Sequence, residues 1–70
     1  MTQIITFYIN GQLYCVNQRI TLSELINYFN DKNSLFVIEY NHLICNKNEW
    51  KQTAIKDQDK IEIVTIVGGG

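Results

Sequence analysis

The group in this sequence best placed to react belongs to the main chain. The run Ile61-Glu62-Ile63-Val64-Thr65-Ile66-Val67 gives way, without a polar tail, to Gly68-Gly69-Gly70. The carboxylate of Gly70 is expected to be the free terminus. Such a carboxylate titrates near roughly 3.5, so at neutral pH it is an anion and a poor electrophile. Joining it to a good leaving group would open its carbon to a nucleophile. Three residues without side chains can thread a narrow channel to reach that chemistry, because no Cβ projects and both signs of φ are open. A frayed end or a linker remnant has the same composition. Taken alone, the glycines leave both readings standing.

Other reactive groups are few. Cys15 and Cys45 lie far apart, each inside an apolar segment and without C-x-x-C spacing. They read as free thiols, buried or half-buried, in a reducing compartment. His42 stands alone in a turn. No nucleophile–base pair, metal-ligand cluster or phosphate loop is spelled out, since the glycines precede nothing that could begin a helix. The expectation is a protein that is no enzyme, binds no metal or cofactor of its own, and serves as a substrate for others.

Composition agrees with a modest role of this kind. Seventy residues make one small domain, and 46% apolar content allows it a core. Six basic residues against seven acidic ones, scattered along the chain, form no field for nucleic acid. No apolar run is long enough to cross a bilayer and no leader precedes the first strand. That predicts a soluble protein kept where it is made: the cytoplasm, or the plastid stroma if the gene is plastid-encoded. Absent proline and plentiful Ile, Asn, Lys and Tyr, whose codons are AT-rich, point to a low-GC genome such as a plastid or certain bacteria.

The elements that must hold the tail follow from local pattern. Ile4–Ile9 is β-branched and aromatic, Asn10-Gly11 follows, and Gln12–Val16 resumes the alternation, which predicts an antiparallel hairpin on a type I′ turn. Thr21 and Glu24 have capping-box spacing, with Ile20 and Leu25 at the two staple positions. Leu22, Leu25, Ile26 and Phe29 then form one apolar stripe, predicting a helix from Leu22 to Asn30 that stops in Asp31-Lys32-Asn33. Leu35–Tyr40 reads as a central strand, Asn41-His42 as a turn, and Leu43–Cys45 as a short strand. Asn46–Trp50 reads as a loop or single helical turn that docks Trp50 on the core. Asp57–Lys60 is a polar turn before the final strand.

This order predicts an α+β fold, a β-grasp (ubiquitin-like) roll with a mixed sheet of four to five strands on one helix. The last strand lies centrally, beside the first and parallel to it. Residues 1–67 form the domain, and 68–70 a flexible tail. Ile5, Phe7, Ile9, Tyr14, Val16, Ile61 and Ile63 fall on the helix side. Ile4, Thr6, Tyr8, Leu13, Cys15, Val64 and Ile66 fall on the other face, which stays largely apolar where a solvated face usually turns polar. That marks either a partner interface or self-association. Tyr8, Leu13, Val64 and Ile66 make up the candidate docking surface.

The tail, the Asn-Gly hairpin and the capped helix together resemble the ThiS family, the sulfur-carrier proteins of thiamine biosynthesis. The resemblance covers the whole chain. It is carried by Asn10-Gly11, Thr21-Leu22 with Leu25, Asn48-Glu49-Trp50, Thr53-x-Ile55-x-Asp57-x-Asp59-x-Ile61-Glu62-Ile63-Val64, and Val67-Gly68-Gly69-Gly70. Departures are Gln58 and His42, where the family often has glycine, and Asn46 and Lys47 in place of a more usual proline and arginine. The resemblance implies that an adenylating, ThiF-like activating enzyme uses ATP and magnesium to charge Gly70, with Gly68 and Gly69 threading its active site. A sulfur donor then converts the acyl-adenylate to a thiocarboxylate, from which a ThiG-like thiazole synthase takes sulfur. Other readings are the small subunit of molybdopterin synthase, a ubiquitin-like modifier joined to lysines, and a non-covalent β-grasp interaction module.

Overall fold

The computed structural model describes residues 3–29 and 35–66, with side chains as far as Val64 in the last strand. The elements come in the expected order: β1 (Ile5–Ile9), β2 (Gln12–Val16), α1 (Leu22–Tyr28), β3 (Leu35–Tyr40), β4 (Leu43–Cys45), a 3-10 segment (Lys47–Gln52) and β5 (Lys60–Ile66). Asn10 at φ 50° and Gly11 at φ 79° supply the two positive values that a tight two-residue hairpin needs. Ile9 therefore faces Gln12, and the β1–β2 register runs back to Ile5 opposite Val16. The β3–β4 hairpin turns the same way, with Asn41 at φ 52° and His42 at φ 72°.

Helix α1 begins as its capping box dictates. The Glu24 amide donates to Thr21 Oγ1 at 3.2 Å, and the Thr21 amide donates to Glu24 Oε1 at 2.9 Å. Leu22, Leu25 and Ile26 are buried, and the staple residue Ile20 packs against them. The helix closes at Tyr28, short of the Asn30 expected, with Phe29 as its C-cap. Phe29 remains 42% exposed and meets Tyr14 edge-on at 5.7 Å, so it rims the core instead of entering it.

The five strands form one sheet in the order β2-β1-β5-β3-β4. β5 is central, parallel to β1 and antiparallel to β3. Helix α1 covers one face, which gives the β-grasp roll. Phe7, Leu22, Ile38 and Ile61 are the most completely buried side chains, joined by Trp50 and Ile55. The 3-10 segment places Trp50 as expected: its indole stacks on Phe36 at 5.6 Å and donates to the Cys45 carbonyl at 3.0 Å. Both cysteines are free, and Cys45 is half-buried. Cys15, expected to be at least half-buried, is exposed, because it leaves the uncovered face of edge strand β2.

Candidate functional site

The tail glycines Gly68, Gly69 and Gly70 lie outside the described residues, as does Val67. What is described is their root, β5 and the turn that feeds it. β1 reaches β5 over Tyr8–Lys60 and Ile9–Ile61 only. Beyond that, side chains take over from strand pairing. The Asn10 carboxamide accepts from the Ile63 amide at 2.8 Å and donates to the Ile63 carbonyl at 3.4 Å, extending the ladder past the hairpin turn. From the opposite side, Asn41 Oδ1 accepts from the Lys60 amide at 2.8 Å, and the Asn41 amide donates to the Lys60 carbonyl at 2.7 Å. Each hairpin thus contributes an asparagine that tolerates positive φ and clamps β5 with its amide.

The acidic turn before β5 is fastened just as closely. Asp57 Oδ1 accepts from the Thr6 amide at 2.8 Å, and the Gln58 amide donates to the Thr6 carbonyl at 2.6 Å. Asp59 is only 7% exposed and receives three donors: the Lys56 amide at 2.7 Å, Asn41 Nδ2 at 3.1 Å and the Tyr40 hydroxyl. A buried carboxylate is tolerable only when satisfied in this way. The Tyr40 phenol is held well above the ordinary tyrosine value. Burial is the largest cause, followed by the hydrogen bond to Asp59, the charge of Asp59 and lastly Cys45. The hydroxyl therefore stays protonated and donating through neutral pH. Asp59 reads in sequence as one more polar turn residue; only its position, two before the Ile61-Glu62-Ile63-Val64 strand, hints at an anchor.

Of the candidate docking residues, Tyr8, Leu13 and Val64 share one face but do not form one patch. Tyr8 and Leu13 are a cross-strand pair, with Tyr8 half-buried and Leu13 59% exposed. Val64, 48% exposed, faces Val37. It lies four residues beyond Lys60, the β5 partner of Tyr8, which places it roughly 13 Å along the strand. The backbone of Ile66 pairs with Leu35, and its side chain lies outside the described residues. That face exposes apolar side chains at Leu13, Val64, Leu35 and Ile44, but charged residues interrupt the docking set. By alternation, Lys60 and Glu62 of β5 and Glu39 of β3 fall on that same surface and separate Tyr8 and Leu13 from Val64. A face assigned from its apolar positions alone leaves out Lys60 and Glu62 of β5 and the whole of β3.

Among the described residues no three His, Cys, Asp or Glu side chains gather as a metal site, and no helix is long and apolar enough to span a membrane. The geometry on hand is therefore a firmly seated central strand running toward a glycine tail.

The chain matches the ThiS family over residues 7–70, through the glycines themselves. It belongs to the ThiS family. A protein of Trieres chinensis, "Uncharacterized protein ycf40", is 57% identical over 65 residues, spanning 93% of this chain and 89% of the relative. The proteins of the same name from Porphyra purpurea and Pyropia yezoensis are 38% and 35% identical, each over 94% of this chain and 93% of their own length. Among solved structures, the crystal structure of the thiamine biosynthesis protein (ThiS) from Geobacter metallireducens superposes with a TM-score of 0.79 at 22% identity, covering 94% of this chain and all of that one. The solution structure of a thiamine biosynthesis protein from the same organism gives 0.74, covering 88% of its chain. These last two likenesses establish the ThiS-like β-grasp fold. Two departures from the family pattern, His42 and Gln58, occupy positive φ of 72° and 70°, which is where glycine would sit without strain.

Proposed function

We propose that this chain is a sulfur carrier whose Gly70 carboxylate is activated and loaded by other proteins, and that the sulfur goes to thiazole formation in thiamine biosynthesis. The observation that supports this most is the family match running through Gly68, Gly69 and Gly70, on a strand clamped from both sides just upstream. In the first step the terminal carboxylate attacks the α-phosphorus of ATP, with magnesium held by the activating enzyme, and pyrophosphate leaves. In the second, a donor of sulfur at the oxidation level of sulfide attacks the acyl carbon and AMP leaves, producing the thiocarboxylate. The thiazole synthase then draws its sulfur from that group. The carrier supplies no acid, base or metal to either step. Its contribution is a terminus without side chains, held at a defined distance from a rigid docking face, which includes Tyr8, Leu13, Val64 and Ile66.

The algal ycf40 relatives favour the plastid stroma over a bacterial cytoplasm as its place of work. The test is ATP–pyrophosphate exchange catalysed by a ThiF-like activating enzyme. Exchange should depend on adding this chain and should stop when Gly70 is deleted. Exchange that is indifferent to the chain would sink the proposal. An isopeptide-linked product in the same mixture would favour the modifier reading instead.

A further inference from the structure

The uncovered surface of β3 and β5 is a ladder of facing positions: Leu35 opposite Ile66, Val37 opposite Val64, and Glu39 opposite Glu62. The Asn41 amide bonds the Lys60 carbonyl at 2.7 Å. By alternation, Glu39 and Glu62 also form a pair that exchanges backbone hydrogen bonds, with Cα atoms about 5.5 Å apart. Two carboxylate side chains thus leave the same face from directly opposite positions. Like charges placed this way work against the sheet, and nothing in the core calls for them. On the other side of Glu39 stands Ile44 of β4. Ile44 is 68% exposed, Val64 48% and Leu35 71%. The acidic pair is therefore set into exposed apolar surface, beside the stretch of β5 that leads to the glycines. Lys60 stands two residues before Glu62 on the same face, as far from it along β5 as Val64 is on the other side, and its lateral neighbour on β1 is Tyr8.

We propose that this patch docks a basic protein surface: an arginine or lysine that enters between Glu39 and Glu62, with apolar neighbours that cover Ile44, Val64 and Leu35. Charge complementarity selects this occupant. A cation between the carboxylates turns their repulsion into attraction, and the planar guanidinium is built to bridge two of them. A purely apolar partner would bury both charges unpaired and be rejected. The pair therefore sets which partner may approach the tail, while the apolar rim excludes water around it. This proposal rests on the carrier reading, because the owner of the basic surface is then the enzyme that adenylates Gly70.

The test measures adenylation of the full chain by a ThiF-like activating enzyme as a function of carrier concentration and salt, for the natural chain, Glu39→Gln, Glu62→Gln and the double variant. Each single substitution should raise the KM for the carrier by about tenfold with kcat unchanged. Added salt should raise the KM of the natural chain and leave that of the double variant nearly flat. The thermal midpoint of the double variant should equal or exceed that of the natural chain, because a repulsion has been removed. A natural chain that is adenylated with a KM indifferent to both substitutions overturns this proposal alone. A drop in the thermal midpoint would make the pair a structural feature and overturn it as well. A natural chain that is not adenylated at all overturns the carrier reading, and the docking proposal with it.

Discussion

At its start, β5 is gripped from both sides. Ile61 lies in the core at 1% exposure, Asp59 holds three donors just before it, and the carboxamides of Asn10 and Asn41 reach its backbone from opposite hairpins. Past Ile63 the described strand partners of β5 lie on β3 alone, and Val64 is half open to solvent. The same strand thus passes from a backbone fastened on both sides to a stretch whose described strand neighbour is β3 alone. The difference separates two tasks. The early half fixes where the chain exits, and the late half leaves surface and backbone free for whatever receives the glycines.

Substitutions should divide along that line. Ile61→Ala removes a fully buried side chain and should lower stability by about 2–5 kcal/mol, read from urea unfolding. Val64→Ala, three residues later, should lower it by less than about 1 kcal/mol while weakening capture by the activating enzyme. Equal losses at the two sites would remove the distinction between root and exit.

Asp59→Asn should be the next largest. One amide oxygen cannot satisfy the Lys56 amide, the Asn41 amide group and the Tyr40 hydroxyl together, so about 3 kcal/mol should be lost. The same knot predicts an alkaline limit. The folded-state value of Tyr40 is raised above the unfolded one, so above about pH 10 the unfolded chain holds fewer protons than the folded chain. The stabilisation is then complete below about pH 10 and lost as pH rises toward the folded value. Tyr40→Phe should be less stable at neutral pH and show a shallower alkaline decline. An unchanged slope would mean that folding does not hold the phenol above its unfolded value.

Asn10 separates its two contributions. Asn10→Gly keeps the positive φ and loses the clamp on Ile63, which should cost about 1 kcal/mol, whereas Asn10→Ala should lose roughly a further 1 kcal/mol to backbone strain. The smallest effect is a gain. Gln58→Gly relieves a positive φ in the turn before β5 and should raise stability by up to about 1 kcal/mol, read as a small rise in thermal midpoint. A loss there would show that the Gln58 side chain does more than occupy a strained turn.

Local chemistry carried most of the fold into view. Asn10-Gly11 announces its hairpin, Thr21 and Glu24 their capping box, and Trp50 its place in the core, because each depends on residues close in sequence. The central place of β5 also follows from pattern, since only a crossover through α1 joins these strands simply. The fastenings of the root do not follow so readily. Asp59 is read as solvated until the strands bring Tyr40 and Asn41 onto it, and the clamps of Asn10 on Ile63 and Asn41 on Lys60 span distant stretches. Likewise Glu39 and Glu62 are unremarkable apart; only the β3–β5 register sets them face to face. Phe29 belongs to the apolar stripe of α1 by spacing and ends at the rim as its C-cap, while Cys15, on the uncovered face of edge strand β2, is more exposed than its apolar segment suggests.

Intact-mass measurement of the chain after incubation with a ThiF-like activating enzyme, ATP, magnesium and a sulfide-level donor tests sulfur loading most directly. The natural chain should gain the mass of one sulfur in place of one oxygen, located at Gly70, and a variant carrying one extra residue after Gly70 should gain nothing. Equal loading of the extended variant, or sulfur found anywhere other than the last glycine, would contradict the claim that this domain exists to present a bare terminus.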